Sequence, residues 1–228
     1  MYGVGLKTYI LGMILLILLG GCARLPEYAR PHFNPSPGDA GPDYNAFAYR
    51  QLTIADFQAA SLPEGYSQYD YHIQARSCIS IRPGSGSTIR ITNASVTGKA
   101  LYFGSFSSLT FEAVFNPDCS WWNPKVPAKH KGYVLQHEQI HFALAELSAR
   151  KLNREHGEDV RQYMAIGNTY KEVQEQLVEK VTSISRSQTE EDIRTHTEFD
   201  EETSLSYAPE KQRKWFEKVT GQLAGAGE

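Results

Sequence analysis

A dominant charge of one sign is missing from this sequence: 23 Lys and Arg stand against 26 Asp and Glu, leaving a net charge of −3 over 228 residues. No electrostatic footprint for phosphates follows from such a balance, so nucleic acid is set aside as a partner. Extended disorder lacks its compositional basis too, because 41% of residues are hydrophobic and only 21% are charged, enough to bury a sizeable core. A mean hydropathy of −0.43 excludes a multi-span membrane protein. Cysteine is scarce, with three in the chain. No internal repeat is visible, and no Ser-His-Asp order can be discerned that would point to nucleophilic hydrolysis.

What the sequence does contain begins with an apolar run from Tyr9 to Gly21, preceded by Lys7. At about 13 residues it is shorter than the roughly 20 needed to cross a bilayer, and it reads as a signal peptide over residues 1–21. Its ending, Leu19-Gly20-Gly21-Cys22, resembles the bacterial lipobox, which implies cleavage before Cys22 and lipidation of that cysteine. Ala23 is not the aspartate that retains lipoproteins in the inner membrane, so the resemblance implies the periplasmic face of the outer membrane. With Cys22 taken by lipid, Cys78 and Cys119 remain as an even pair in an oxidising compartment, which favours a disulfide between them.

Residues 22–50 are punctuated by Pro26, Pro31, Pro35, Pro37 and Pro42 and have no apolar period, so they are expected to form a tether. The domain proper is expected over residues 51–223. Within it, β-branched and aromatic stretches at Thr88 to Val96, Ala100 to Phe106 and Leu109 to Phe115, with partial alternation from Tyr69 to Ile81, predict a small antiparallel sheet of about four strands inside residues 51–122. Helices are expected over residues 128–223. One runs from Gly132 to about His156 with Gly157 as its stop, one from about Thr169 to Ser185, and one from Pro209 to Leu223. Residues up to Thr203 are read as irregular or helical. Sheet first and helices after it make an α+β fold.

Four of the seven histidines fall between His130 and His156, and two of them frame His137-Glu138-Gln139-Ile140-His141. On a helix, positions four apart are separated by only about 40°, so both imidazoles face one point. Glu138 lies about 60° beyond His141, where it addresses a water beside an ion without ligating it, as a general base must. Composition predicts about 0.02 such windows by chance. Val134, Ile140, Leu144 and Leu152 bracket the pair, so the rings point into an apolar stripe. Two rings buried there need polar partners, which a core histidine pair finds in the protein and one divalent cation supplies at once.

A zinc ion takes at least three protein ligands. Glu146 lies some 140° round the helix from His141, where a solvated pair with Arg150 accounts for it. Glu155 is about 21 Å along the axis and out of reach. The third ligand is therefore expected from a later segment, where Glu172, Glu175, Glu179 and His196 are candidates.

The stretch Leu135-Gln136-His137-Glu138-Gln139-Ile140-His141-Phe142-Ala143-Leu144-Ala145-Glu146 resembles the signature of a bacterial secreted zinc-dependent protease family, long catalogued only as a domain of unknown function and placed among the zincin metallopeptidases. Leu52-Thr53-Ile54-Ala55-Asp56-Phe57 is similar to that family's opening segment, Ser120-Trp121-Trp122 to its pre-helix block, and Phe199-Asp200-Glu201-Glu202-Thr203 to its tyrosine-aspartate-x-x-threonine motif. The likeness covers most of Gln51 to Leu223. It implies a zincin-like helical part, a Zn2+ ion held by His137, His141 and Asp200, Glu138 as the catalytic base, and a protein or peptide substrate. Phe199 replaces the family's tyrosine, and Leu205-Ser206 replaces a histidine-glycine pair after Thr203. Two imidazoles and a carboxylate also suit other divalent ions, hydrolysis of a peptidoglycan amide would use the same chemistry, and a non-catalytic envelope lipoprotein with a structural metal site is the reading from another class.

Overall fold

β-Branched and aromatic residues set the first half of the chain and helix formers the second, and the resulting architecture is α+β. The computed structural model describes residues 25–26, 29–30, 45–204 and 207–225. The expected signal peptide, Cys22 and the Leu205-Ser206 pair lie outside the described residues. Among the described residues eight strands occur: β1 (Phe47–Ala48), β2 (Ala75–Arg76), β3 (Ile79–Pro83), β4 (Thr88–Val96), β5 (Lys99–Ser108), β6 (Phe111–Phe115), β7 (Trp121–Trp122) and β8 (Met164–Gly167). Three helices follow or enclose the last of these: α1 (Lys131–Gln162), α2 (Tyr170–Thr203) and α3 (Pro209–Gly225).

The strands form three small antiparallel sheets, ordered β1-β6-β3, β2-β7 and β4-β5-β8, where one sheet of about four strands was expected. β4 and β5 turn through Thr97 and Gly98 at φ 50° and 78°, the left-handed pair that a two-residue hairpin loop needs. The alternation from Tyr69 onward is not strand for most of its length. A 3-10 helix over Glu64–Tyr69 and a turn donating Ile73 N to the Tyr69 carbonyl at 3.0 Å occupy it, and pairing begins only at Ala75–Arg76. Phe47–Ala48 pairs with β6, so ordered structure begins ahead of Gln51, inside the segment expected to be tether.

Both long helices outrun their expected ends. α1 passes through Gly157, since one interior glycine costs only about 1 kcal/mol and buried Val160 fastens the added turn to the core. α2 is 34 residues long, opened by Thr169, whose hydroxyl accepts from Glu172 N at 3.1 Å, and no glycine or proline interrupts it. Its first half buries Val173, Leu177 and Ile184; its second half buries Gln188, Asp192, His196 and Asp200 on the same face. That face changes from apolar to polar partway along a single helix.

α1 and α2 run antiparallel, with β8 at the bend. Lys151 pairs with Glu191, Ser148 Oγ donates to Asp192 Oδ1 at 2.5 Å, His141 meets His196, and His137 meets Asp200. Gly104 of β5 lets α2 approach, because a Cβ there would lie 2.3 Å from Val173 Cγ1. α3 covers the far end, with Trp215 and Val219 packed on Ile140 and Phe199. On the other side Phe142 meets Phe47, Tyr49 and Phe115. The helix carrying the histidines is thus clamped on both flanks. Among the described residues no helix is long and apolar enough to cross a membrane.

Cys78 and Cys119 are joined as a disulfide, with Cα atoms 5.8 Å apart across a sequence separation of 41. Cys78 N also donates to Ser120 Oγ at 2.9 Å, and Asn116 N to the Cys78 carbonyl at 2.9 Å. The segment from Ala75 to Cys78 is thereby pinned to β7 and the loop before it. Closing a loop of this length restricts the unfolded chain by about 4 kcal/mol in the entropic account. The double variant Cys78→Ser with Cys119→Ser is expected to lose about 2–4 kcal/mol in urea denaturation; an unchanged midpoint and slope would show that the bridge constrains nothing.

Candidate metal centre

His137 and His141 occupy successive turns of α1, and Asp200 reaches them from the last turn of α2. His137 Nε2 and His141 Nε2 each lie 3.0 Å from Asp200 Oδ1 and 3.1 Å from one another. The three atoms make a nearly equilateral triangle. Donors around a tetrahedral ion bound at about 2.0–2.1 Å are separated by about 3.3–3.4 Å, so a small outward adjustment admits one ion to all three.

The outer hydrogen bonds bear on which ring nitrogens present lone pairs. Thr203 Oγ1 donates its one proton to the Phe199 carbonyl at 2.6 Å. Towards His137 Nδ1, 3.4 Å away, that hydroxyl can only accept, so the ring proton belongs on Nδ1 and Nε2 turns a lone pair to the triangle. His141 Nδ1 lies 2.8 Å from His196 Nδ1. Burial, reinforced by the charge of His141, drives the His196 pKa well below the ordinary imidazole range, so it is neutral and able to accept there. Two lone pairs and a carboxylate oxygen converging within 3.1 Å repel unless a cation stands among them. The donor set fits a divalent metal ion.

Without an ion, the cluster balances its charges through the rings themselves. Burial would raise the Asp200 carboxyl, but the charge of His141 and hydrogen bonds with both rings hold it far below the usual carboxylate range. Burial would likewise lower the His141 pKa, yet Asp200 reverses the sign and raises it. An ionised carboxylate at 6% exposure requires positive compensation at the ring nitrogens, whether from protons or from a metal.

Phe199 forms the floor, stacked on His137 at 4.5 Å between centroids and edge-on to His141 at 5.0 Å. Phe199 presents an apolar wall to both imidazoles. Glu138 is buried, and Ser77 Oγ donates to its Oε2 at 2.5 Å. His137, Glu138, His141 and Asp200 open onto one cleft of about 370 Å³, whose other walls include Tyr66, Arg76, His130 and Tyr207. Leu25 is buried in this cleft at 2% exposure, with Arg30 Nε donating to its carbonyl at 3.3 Å. Gln139 faces away and clasps the opening segment, accepting from Leu52 N at 2.6 Å.

Of the residues singled out in the sequence, His137, Glu138, His141 and Asp200 meet here. Glu146 pairs with Arg150 at 2.8 Å, Glu172 caps the start of α2 by accepting from Asn168 N, and Glu175 lies beside Lys171 at 3.6 Å. Glu179 is exposed about 31 Å along α2 from Asp200. None of these four carboxylates reaches the triangle. His196 stands behind His141 as a support. Ser77 carries no sequence signal, whereas His196 and Asp200 are four apart and would share a face once the helix is known to continue.

One zinc ion per chain is the expected stoichiometry by metal analysis after dialysis. His137→Ala, His141→Ala and Asp200→Ala are each expected to weaken binding at least about 100-fold, and Thr203→Val about 10–100-fold, read by competition with a chelating dye. An Asp200→Ala protein that binds as tightly as the parent would remove Asp200 from the ligand set.

No family model, curated protein or solved structure matches the chain.

Proposed function

We propose that this chain is a zinc-dependent peptidase, held by a lipid on Cys22 at the periplasmic face of the outer membrane and acting on protein or peptide substrates. The observation that carries the reading is that Glu138 and the three convergent donors share one open cleft. A closed structural site takes four protein donors; among the described residues, three converge, and His196 addresses the opposite nitrogen of His141. That favours the enzyme over a structural metal staple. The resemblance of the histidine helix to the zincin-type family, the signal-like amino terminus and a disulfide suited to an oxidising compartment support the same reading.

Zinc held by His137, His141 and Asp200 would supply Lewis acidity, polarising the scissile carbonyl and easing deprotonation of the attacking water. Glu138 receives that proton. The Ser77 hydroxyl fixes Oε2, leaving Oε1 to accept the proton from the attacking water and return it to the departing amine. Ser77 is a positioning residue, set in place by the disulfide at the next position. Phe199 excludes solvent from beneath the imidazoles, and Thr203 and His196 hold the two rings in the tautomer that presents Nε2. No side-chain nucleophile is required.

Glu138→Gln is expected to retain its zinc while casein hydrolysis falls by about 10²–10⁴-fold, and Ser77→Ala to lower kcat by about tenfold with zinc content unchanged. Full hydrolysis by the zinc-loaded Glu138→Gln protein would contradict the assigned base.

A further inference from the structure

Arg76 ends β2, one residue before Ser77, and lines the same cleft as the triangle of donors. Its side chain is half-buried, with the guanidinium carbon 4.7 Å from the centre of the Tyr66 ring. Elsewhere in the fold Arg50, Arg82, Arg150 and Arg213 are paired with Asp56, Glu112, Glu146 and Glu210. Among the described residues no carboxylate pairs with Arg76, and Tyr66 is its electrostatic neighbour. Burial depresses its pKa, yet a guanidinium stays charged throughout the physiological range. A permanent cation withdrawn from water without a counter-ion is costly.

Chemistry defines what would relieve that cost. A guanidinium lying over an aromatic ring keeps its in-plane N–H donors, whose fork matches the two oxygens of a carboxylate. Tyr66 restricts the side chain, so less freedom is lost when an anion binds. The neighbouring acids are not available to it: Asp200 is engaged by two imidazoles and Glu138 by Ser77.

We propose that Arg76 is the substrate anchor of this cleft and binds a carboxylate of the peptide, fixing how the chain lies across Glu138. The inference rests on the peptidase reading for the peptide nature of the ligand, and on Arg76 and Tyr66 for the charge. A glutamate or aspartate side chain and the carboxyl end of the peptide offer the same chemistry.

The test uses the zinc-loaded full chain carrying Glu138→Gln, which binds without turnover, and three fluorescein-labelled alanine-rich hexapeptides: one blocked at both ends with a central glutamate, its glutamine counterpart, and that counterpart with a free carboxyl end. Fluorescence anisotropy should show a carboxylate peptide binding at least about tenfold more tightly than the blocked glutamine peptide. Preference for the central glutamate identifies a side-chain carboxylate, and preference for the free end identifies the chain terminus. Adding Arg76→Gln should reduce the preference below about twofold, and Arg76→Lys should restore part of it. Equal affinity for all three peptides, no measurable binding of any, or a preference that survives Arg76→Gln would each overturn the proposal. The peptide comparison in the chain with Arg76 intact does not depend on how an Arg76 variant folds. Casein hydrolysis by the parent separates the two readings: hydrolysis without carboxylate preference removes the role of Arg76 alone, whereas preference without hydrolysis removes the peptidase reading alone.

Discussion

A buried aspartate flanked by two imidazole nitrogens, all within 3.1 Å, is the constraint around which this fold is arranged. Each of those atoms is costly to bury alone, and the nitrogens cannot both face the carboxylate as lone pairs without a positive charge among them. Among the described residues the ion pairs of Asp200 are with His137 and His141, not with a lysine or arginine. The surrounding structure supplies acceptors behind the rings and an aromatic floor beneath them. Ring protons balance the charge of the bare cluster, and a divalent cation would fit the same triangle of donors.

Meeting that constraint requires two helices to hold their relative register over several turns. The antiparallel seam does so with polar contacts, from Lys151 and Glu191, through Ser148, Gln188 and Asp192, to His141 and His196. Because such contacts are directional, sliding one helix by a turn would leave buried polar groups unpaired, whereas an apolar seam would tolerate repacking. α3 and the aromatic cluster around Phe142 then hold α1 from either side. On the opposite wall of the cleft a disulfide fixes the segment that carries Arg76 and Ser77. A covalent tie thus serves one wall and helix packing the other.

The parts of this arrangement legible in the sequence are the local ones. His137, Glu138 and His141 belong to little more than one helical turn, so spacing alone places them, and the α+β order follows from the change of period after Pro127. Asp200 was accessible only through resemblance. Its helix continues beyond Ser185 with Gln188, Asp192 and His196 where an apolar stripe would be expected, and a search for hydrophobic period loses the helix where its buried face turns polar. Ser77 and β8 were illegible for a related reason: a lone serine and a four-residue strand acquire meaning only from partners 61 residues distant for Ser77 and on β5 for Met164–Gly167. The division into three sheets depends on such long-range pairings as well.

The central claim is that one metal ion unites α1 and α2 while keeping a position open to the cleft. X-ray absorption at the zinc edge, recorded on the full chain and on its Asp200→Ala variant, tests it most directly. The account predicts four nitrogen and oxygen donors at about 2.0–2.1 Å, two of them imidazoles, one exchangeable with added azide, and loss of an oxygen donor or of the metal in the variant. Four protein donors with no exchangeable position, or identical spectra from the two proteins, would contradict it.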